Sequence, residues 1–455
     1  GIWVGAFTIN GLTVKNIIPG FLNTFDIYII QALVPADGGS GHATIIMFSM
    51  MLGGMIGIIT KNGGAKGIVN VITKWSNNSS RGQLSAAIFG TVFFIDDYAN
   101  TLIVGNTIKP LTDKLRISRE KLAYIVDSTA APVACVALIS TWIGYEVGLI
   151  NDSMSLLNLE NQSAYGIFLQ SIKYSFYPIL ALFFVYLVSI TRKDFGPMLE
   201  FEQNARMNVF EKKTDTTFNP DEQNMLPNEN VKAKAMNAFI PIFIVISLTI
   251  YGLFITGDGD SFQEIIGSAD SYSALTWASL VGVLTAILLS TTQKILTLKE
   301  SMDAWYAGVR SMLYTMIILL MAWALSSTTE TLGTADYFVS ILGDKINPAF
   351  LPVIIFVISS ATSFSTGTSW GTMGILMPLT IPLVGSILNL EGGIDIGNIH
   401  ILYASVSAVL CGAVWGDHCS PISDTTILSS IASGCDHMNH VRTQIPYAVV
   451  VGVVS

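Results

Sequence analysis

Asp96 and Asp97 stand side by side in AAIFGTVFFIDDYANTLIVGNTI (residues 86–108), a stretch that is otherwise apolar or neutral. Asp417 and Asp424 recur in a similar setting in WGDHCSPISDTTILSS (415–430). A carboxylate can take a proton or a hard cation. At a bilayer centre it costs about 2.5–3.5 kcal/mol on insertion scales. Four of them persist in such surroundings only by binding something that offsets the penalty, so the expected chemistry is cation or proton binding. On a helix Asp96 and Asn100 would share a face, as would Asp97 and Thr101. Amide and hydroxyl oxygens would then join the carboxylates as hard ligands. No basic residue lies between Arg81 and Lys109, so an ion pair would need a partner from another segment.

Three further stretches carry polar groups inside apolar runs. DSTAAP (127–132) offers Asp127, Ser128 and Thr129 before a proline. SFSTGTSWG (363–371) sets Ser363, Ser365, Thr366, Thr368 and Ser369 around Gly367. Hydroxyls and freed carbonyls at a helix break can coordinate a cation, although small residues also serve close helix packing. In the third stretch Pro421 interrupts a helix within reach of Asp417, Ser420, Ser423, Asp424 and Thr425. His418 there could shuttle protons near neutral pH or simply hydrogen-bond a neighbour. A continuous helix would stack Asp417 and Asp424 on one face, and a break at Pro421 would change that. Glu146 and Glu330 could each be a cavity residue, but read first as acids at helix ends near the interface. Gly257-Asp258-Gly259-Asp260 fits a GxGD pattern, but in a polar loop. HExxH, P-loop and GxSxG motifs are absent, which removes the common enzyme readings.

The elements that must position these groups are membrane helices. Only 12% of residues are charged while 51% are hydrophobic, against roughly 25% charged in soluble domains, and mean hydropathy is +0.57. Apolar runs near the ~20 residues needed to span occur around 42–60, 83–109, 121–149, 165–191, 235–256, 272–292, 310–328, 349–385 and 400–432. A shorter one closes the chain at 443–455, and GIWVGAFTI at the start also looks helical, so the chain reads as trimmed at both ends. The net charge of -9 gives no support for nucleic-acid binding. Cys135, Cys411, Cys419 and Cys435 lie in or beside apolar segments without CxxC spacing and read as buried small hydrophobes.

A polar stretch at 192–237 divides the chain into a first half (1–191) and a second (238–455) and reads as an extramembrane linker, partly disordered or amphipathic. The halves resemble each other. IDDYANTLIVGNTIKPLT (95–112) can be laid over SFSTGTSWGTMGILMPLT (363–380), both ending Pro-Leu-Thr. DSTAAP and GDHCSP follow in their respective halves. Paired interruptions of this kind point to the binding site of a secondary transporter. Lys and Arg flank 83–109 on both sides, and the positive-inside rule assigns both flanks to the cytoplasm. The segment is therefore expected to be a re-entrant hairpin (about 83–117), followed by a broken helix (about 121–149). The second half would repeat this with a hairpin at about 349–386 and a broken helix at about 400–432. The fold class expected is an all-α polytopic membrane protein of two inverted-topology repeats.

FFIDDYANTLIVGNTIKPLTDKLRISREKLAYIVDSTAAPVA and AVWGDHCSPISDTTILSS resemble signature stretches of the NhaC-type sodium/proton antiporters, and the resemblance covers essentially the whole chain. It implies inverted repeats, an elevator-type shift and a homodimer. The site it implies comprises Asp96, Asp97, Asn100, Thr101, Asp127, Ser128, Thr129, Ser365, Thr366, Thr368, Ser369, Asp417, Ser420, Asp424 and Thr425. Na⁺ would sit among Asp96, Asp97, Asn100, Asp417 and Asp424. The expected partners are the lipid bilayer, Na⁺, H⁺ and a small organic solute as an open alternative. No cofactor, nucleic-acid partner or enzymatic activity is expected, and the expected location is a prokaryotic inner membrane. The alternative function is Na⁺- or H⁺-coupled transport of an amino acid or small carboxylate.

Overall fold

The computed structural model describes residues 2–33, 41–73, 75–154, 163–207, 231–259, 265, 269–332, 347–388 and 398–455. Among these residues every regular element is helical. The chain opens with α1 (Ile2–Ile9), α2 (Ile17–Asn23) and α3 (Ile30–Leu33), followed by α4 (Gly41–Lys61) and α5 (Gly64–Thr73). Next come α6 (Ser79–Val92), α7 (Asp97–Lys114), α8 (Arg119–Ser128), α9 (Ala131–Ala134), α10 (Thr141–Met154) and α11 (Ala164–Ser171). The middle of the chain holds α12 (Phe176–Thr191), α13 (Gly196–Arg206), α14 (Met236–Thr256) and α15 (Ser271–Thr292). Then follow α16 (Leu298–Ser311), α17 (Leu313–Thr331), α18 (Leu351–Thr366) and α19 (Ser369–Ile387). The chain finishes with α20 (Ile399–Cys419), α21 (Asp424–Ser433) and α22 (His437–Val454).

Among the described residues, seven stretches are long and apolar enough to cross a membrane. Their burial separates centre from rim. The apolar window of Ile399–Cys419 is 78% buried, whereas that of Pro348–Thr366 is 28% buried. The rim helices turn Phe183, Phe243, Ile255, Leu288, Val353 and Val357 outward, all exposed. Side chains of that size on a continuous outer face match lipid rather than water. The protein is an integral membrane protein with α20 near its axis.

Local sequence fixes the helix breaks. Side chains cap four of the helices that begin at them: Ser118 at α8, Thr368 at α19, Ser423 at α21 and Asp436 at α22 each accept from a backbone N–H of the first turn. Gly367 (φ 69°) and Gly434 (φ 69°) end α18 and α21 in the left-handed region, where a side chain would be strained. A Cβ at Gly367 would also strike the carbonyl of Ile422.

Small residues set the closest helix approach. Ser359 Oγ donates to Val409 O at 2.7 Å and Ser363 Oγ to Ala413 O at 2.6 Å. Gly412 and Gly416 face the α18 backbone so closely that a Cβ would overlap Phe356 O and Ser360 O. Hydroxyl donation with small residues at four-residue spacing is how membrane helices associate without a hydrophobic drive. Ser363 therefore serves packing.

Within 192–237, expected to be a polar connector, residues 196–206 form α13 and bury Met198, Glu202 and Ala205. Residues 208–230 lie outside the described residues. Beside α13, Lys121 Nζ is 2.6 Å from Asp194 Oδ1, with both side chains 0% exposed. Tyr447 OH donates to the same oxygen, and Lys121 lies over the rings of Tyr124 and Tyr447. The final helix begins at His437, earlier than its apolar run at 443 implied, because polar residues fill its first two turns.

Candidate functional site

The chain folds back at 93–96. Asn100 Nδ2 donates to Gly90 O at 2.7 Å and to Thr129 O at 3.0 Å, tying α7 to α6 and to the break after α8. Gly90 is required there, since a Cβ would overlap the Thr129 hydroxyl. Asp96 lies in the break itself, before the first residue of α7, so the helical pairing with Asn100 is made by its carbonyl, which accepts from Asn100 N at 2.9 Å. Its carboxylate accepts from Thr141 Oγ1 at 2.9 Å. Asp97 opens α7 and accepts from Trp142 Nε1 at 2.9 Å through Oδ1. Asp97 Oδ2, Asn100 Oδ1 and Thr101 Oγ1 are buried and carry no hydrogen bond. Each such oxygen forfeits about 1–3 kcal/mol unless a ligand meets it.

The second break runs from Ser420 to Ser423, between α20 and α21. It leaves Asp417 in the last turn of α20 and Asp424 at the start of α21, so the two are not stacked on one helix face. Thr425 Oγ1 donates to Asp417 Oδ2 at 3.0 Å, and the next residue, Thr426, donates to Asp127 Oδ2 at 3.1 Å. Asp417 Oδ1 and Asp127 Oδ1 have no hydrogen bond. Asp424 is half-buried and accepts from Tyr98 OH at 2.6 Å, which links the second break to the first. Asp97 interacts electrostatically with Asp96 and Asp424, and Asp417 with Asp424 and Asp127. The acids thus form a connected file. Among the described residues no three His, Cys, Asp or Glu side chains converge as one metal centre. Neither lysine nor arginine pairs with Asp97, Asp127, Asp417 or Asp424 among the described residues.

His418 hydrogen-bonds Tyr177 OH through Nδ1 at 2.9 Å, while its Nε2 lies 4.0 Å from Asp127 Oδ2. Ser420 Oγ donates to Phe364 O at 2.8 Å and braces the break against α18. Thr129 Oγ1 donates back to Ile125 O, and Ser128 hydrogen-bonds Tyr124. The hydroxyl-rich tip differs from the acidic one. Ser365 and Thr366 are exposed and donate to Ala361 O and Thr362 O of their own helix. Thr368 caps α19, and Ser369 is buried at its first position. Gly367 O accepts from Asp424 N at 3.4 Å, and Trp370 packs against Trp142, the donor to Asp97. Through these contacts the two tips meet.

The family model described as the Na+/H+ antiporter family matches residues 133–455. The chain belongs to that family. An uncharacterized protein of Haemophilus influenzae is 32% identical over 441 residues, covering 94% of this chain and 80% of that protein. The Na(+)/H(+) antiporter NhaC of Alkalihalophilus pseudofirmus is 32% identical over 125 residues, 28% of this chain and 23% of its own. The malate-2H(+)/Na(+)-lactate antiporter of Bacillus subtilis is 30% identical over 157 residues, 34% of this chain and 31% of its own. The Alcanivorax borkumensis YdaH transporter shares the fold, with a TM-score of 0.65 at 12% identity over 97% of this chain and 87% of that one. The protein is therefore a secondary transporter of the antiporter family and not an enzyme.

Several residues of the candidate site escaped the sequence reading. Thr141 and Trp142 hold acids yet lie at ordinary helix positions with no motif, and Tyr98, inside the signature stretch, was not singled out. Thr426 adjoins a residue already singled out. Glu146 was expected at a helix end near the interface; it lies mid-way along α10, 0% exposed, with neither carboxylate oxygen hydrogen-bonded and Cys135 beside it. The side chain of Glu330 lies outside the described residues, as does Asp260 of the GxGD pattern.

Proposed function

We propose that the protein exchanges Na⁺ for H⁺ across the prokaryotic inner membrane, using Asp97 and the file of acids around it as alternating sites for the two ions. The observation that carries this is the acidic tip. Asp97 Oδ2, Asn100 Oδ1 and Thr101 Oγ1 are buried oxygens without hydrogen bonds, on a carboxylate without a lysine or arginine partner. A buried carboxylate in that position holds either a proton or a cation, because bare charge in low dielectric is too costly. Carboxylate, amide and hydroxyl oxygens suit an alkali cation. Protonation of Asp97 removes the charge that attracts Na⁺, so competition at one carboxylate makes exchange obligatory.

The two folded-back tips, one in each half, are read as inverted repeats. Relative movement of the α6–α9 and α18–α21 units against the lipid-facing rim would expose the site to either side in an elevator-type cycle. Two copies working as a homodimer are consistent with the exposed apolar rim.

Flux in proteoliposomes with a lumenal pH dye tests the reading. An imposed sodium gradient should drive proton movement without organic solute, and Asp97→Asn should abolish it. A second reading, coupled transport of an amino acid or small carboxylate, draws on the local similarity to the malate–lactate antiporter and on the exposed hydroxyls of Ser365 and Thr366. Proton movement that begins only on adding such a solute would favour it.

A further inference from the structure

A chain of hydrogen bonds links α21 and α22 beside the carboxylate file. Gln444 Nε2 donates to Asp127 Oδ2 at 2.5 Å and to His418 O at 2.9 Å. Both partners are acceptors, which fixes the amide orientation and turns Gln444 Oε1 toward His440 Nε2 at 2.9 Å. His440 Nε2 must therefore carry hydrogen. At the other end His437 Nε2 lies 2.7 Å from the carbonyl of Pro421, so it too must carry hydrogen.

The two remaining ring nitrogens share one hydroxyl. Ser430 Oγ lies 3.1 Å from His437 Nδ1 and 2.9 Å from His440 Nδ1. Ser430 has a single proton to give. Donated to His437, it leaves His440 Nδ1 facing Ser430 Oγ and Thr426 O, both acceptors, so that nitrogen needs its own hydrogen. Donated to His440, it leaves His437 Nδ1 in the same position. Donated to Thr426 O, at 2.7 Å, it leaves both nitrogens needing one. The Ser429 hydroxyl, 3.5 Å from His440 Nδ1, is too far to relieve the contact. Every arrangement that satisfies these contacts contains at least one imidazolium.

We propose that His437, Ser430 and His440 hold a store of one proton beyond the two neutral imidazoles, and that this charge, one amide from Asp127, is exchanged with water as the carboxylate file trades Na⁺ for H⁺. The inference rests on the antiport reading for its role in transport, while the protonation itself does not. In the inner arrangement the charge is on His440, one amide away from Asp127. Moving outward, the proton on His440 Nδ1 passes to Ser430 Oγ as the hydroxyl proton passes to His437 Nδ1. His437, which is partly exposed, then exchanges it with water. No other bond is made or broken.

Burial of His440 and the neighbouring His437 oppose this charge, so it rests on the hydrogen-bond pattern and on the nearby carboxylates. Asp127 acts on His440 through space, and Glu120 and Asp436 act on the adjoining Cys435. Against them stand Arg119, which donates to Gly434 O, and Lys109 at the same turn. Lys121, on α8, is neutralised by Asp194. His418, beside Gln444, keeps Nε2 without a hydrogen bond.

Nitrogen-15 spectra of histidine-labelled protein in nanodiscs test the store directly, since the chain has 5 histidines. At pH 8, above the ordinary imidazole pKa of about 6.5, an imidazolium signal that vanishes in both His437→Gln and His440→Gln should remain, separate from any signal of His42, which lies 3.0 Å from Asp152. Neutral imidazoles at 437 and 440 at that pH would overturn the proposal. In proteoliposomes, Ser430→Ala and His437→Gln should slow sodium-driven proton flux about tenfold while leaving the half-saturating Na⁺ concentration unchanged. Wild-type flux in Ser430→Ala would overturn the relay. Should wild-type protein show no sodium-driven proton movement, the antiport reading falls, and the spectra alone decide the store.

Discussion

The acidic tip at 93–101 and the hydroxyl tip at 363–371 occupy matching places in the two halves but differ in how their oxygens are used. At the acidic tip, Asp97, Asn100 and Thr101 each keep one buried oxygen free of hydrogen bonds. At the hydroxyl tip, Ser365 and Thr366 give their protons to their own helix, and Thr368 is occupied as a cap. A second difference lies in register. α7 begins at Asp97, whereas α19 begins at Ser369, which aligns with Thr101, one helical turn later. The extra turn of α18 carries Ser365 and Thr366 out to the exposed side, while their counterparts Asp97 and Tyr98 remain inside. Similar sequence placement has yielded one tip whose buried oxygens are left without hydrogen bonds and one whose hydroxyls are already used.

That contrast can be broken most severely at Asp97. Asp97→Asn should lower sodium-driven proton flux by about 10²-fold or more, measured in proteoliposomes with a lumenal dye. Flux near wild type would mean the acidic tip is not the site. Next comes the support of that carboxylate. Trp142→Phe removes its indole donor, and a hydrogen bond to a charged group is worth about 1.5–3 kcal/mol. The apparent Na⁺ affinity should change by about tenfold or more, read from the sodium dependence of flux. Thr101→Val keeps shape but deletes one free oxygen, and a shift of several-fold in half-saturating Na⁺ is expected, near one neutral hydrogen bond of about 1 kcal/mol. The smallest effect belongs to the other tip. Ser365→Ala and Thr366→Ala should change flux less than about twofold, because their hydroxyls bond only within or beside their own helix, where such contacts contribute little. A large loss there would erase the distinction between the tips.

The helices, their breaks and the acidic residues were legible because they violate the surrounding apolar pattern. A carboxylate or proline inside an apolar run has few innocent explanations, so Asp96, Asp97, Asp417, Asp424 and Pro421 stood out. The residues that hold them did not. Thr141 and Trp142 reach Asp96 and Asp97 across 45 positions of sequence, and Gln444 reaches Asp127 across 317. No local spacing encodes such pairs. Lys121 looked like a cytoplasmic flank charge by composition, yet it is buried against Asp194, whose position depends on how the chain leaves α12. Glu146 misled for a related reason: burial at mid-helix is set by packing against neighbours, and the sequence of α10 alone does not reveal it. His437 and His440 precede the apolar run at 443–455 and drew no reading from the sequence, whereas the last helix starts at His437 and runs through both.

The central claim is that one carboxylate serves both ions, and it can be read without a membrane gradient. Purified protein in weakly buffered detergent solution would be mixed with NaCl while proton release is followed by a pH dye and bound ²²Na⁺ by filtration. The account predicts proton release that saturates with bound Na⁺, and loss of both signals in Asp97→Asn. Sodium binding that releases no protons, or proton release that persists in Asp97→Asn, would contradict it.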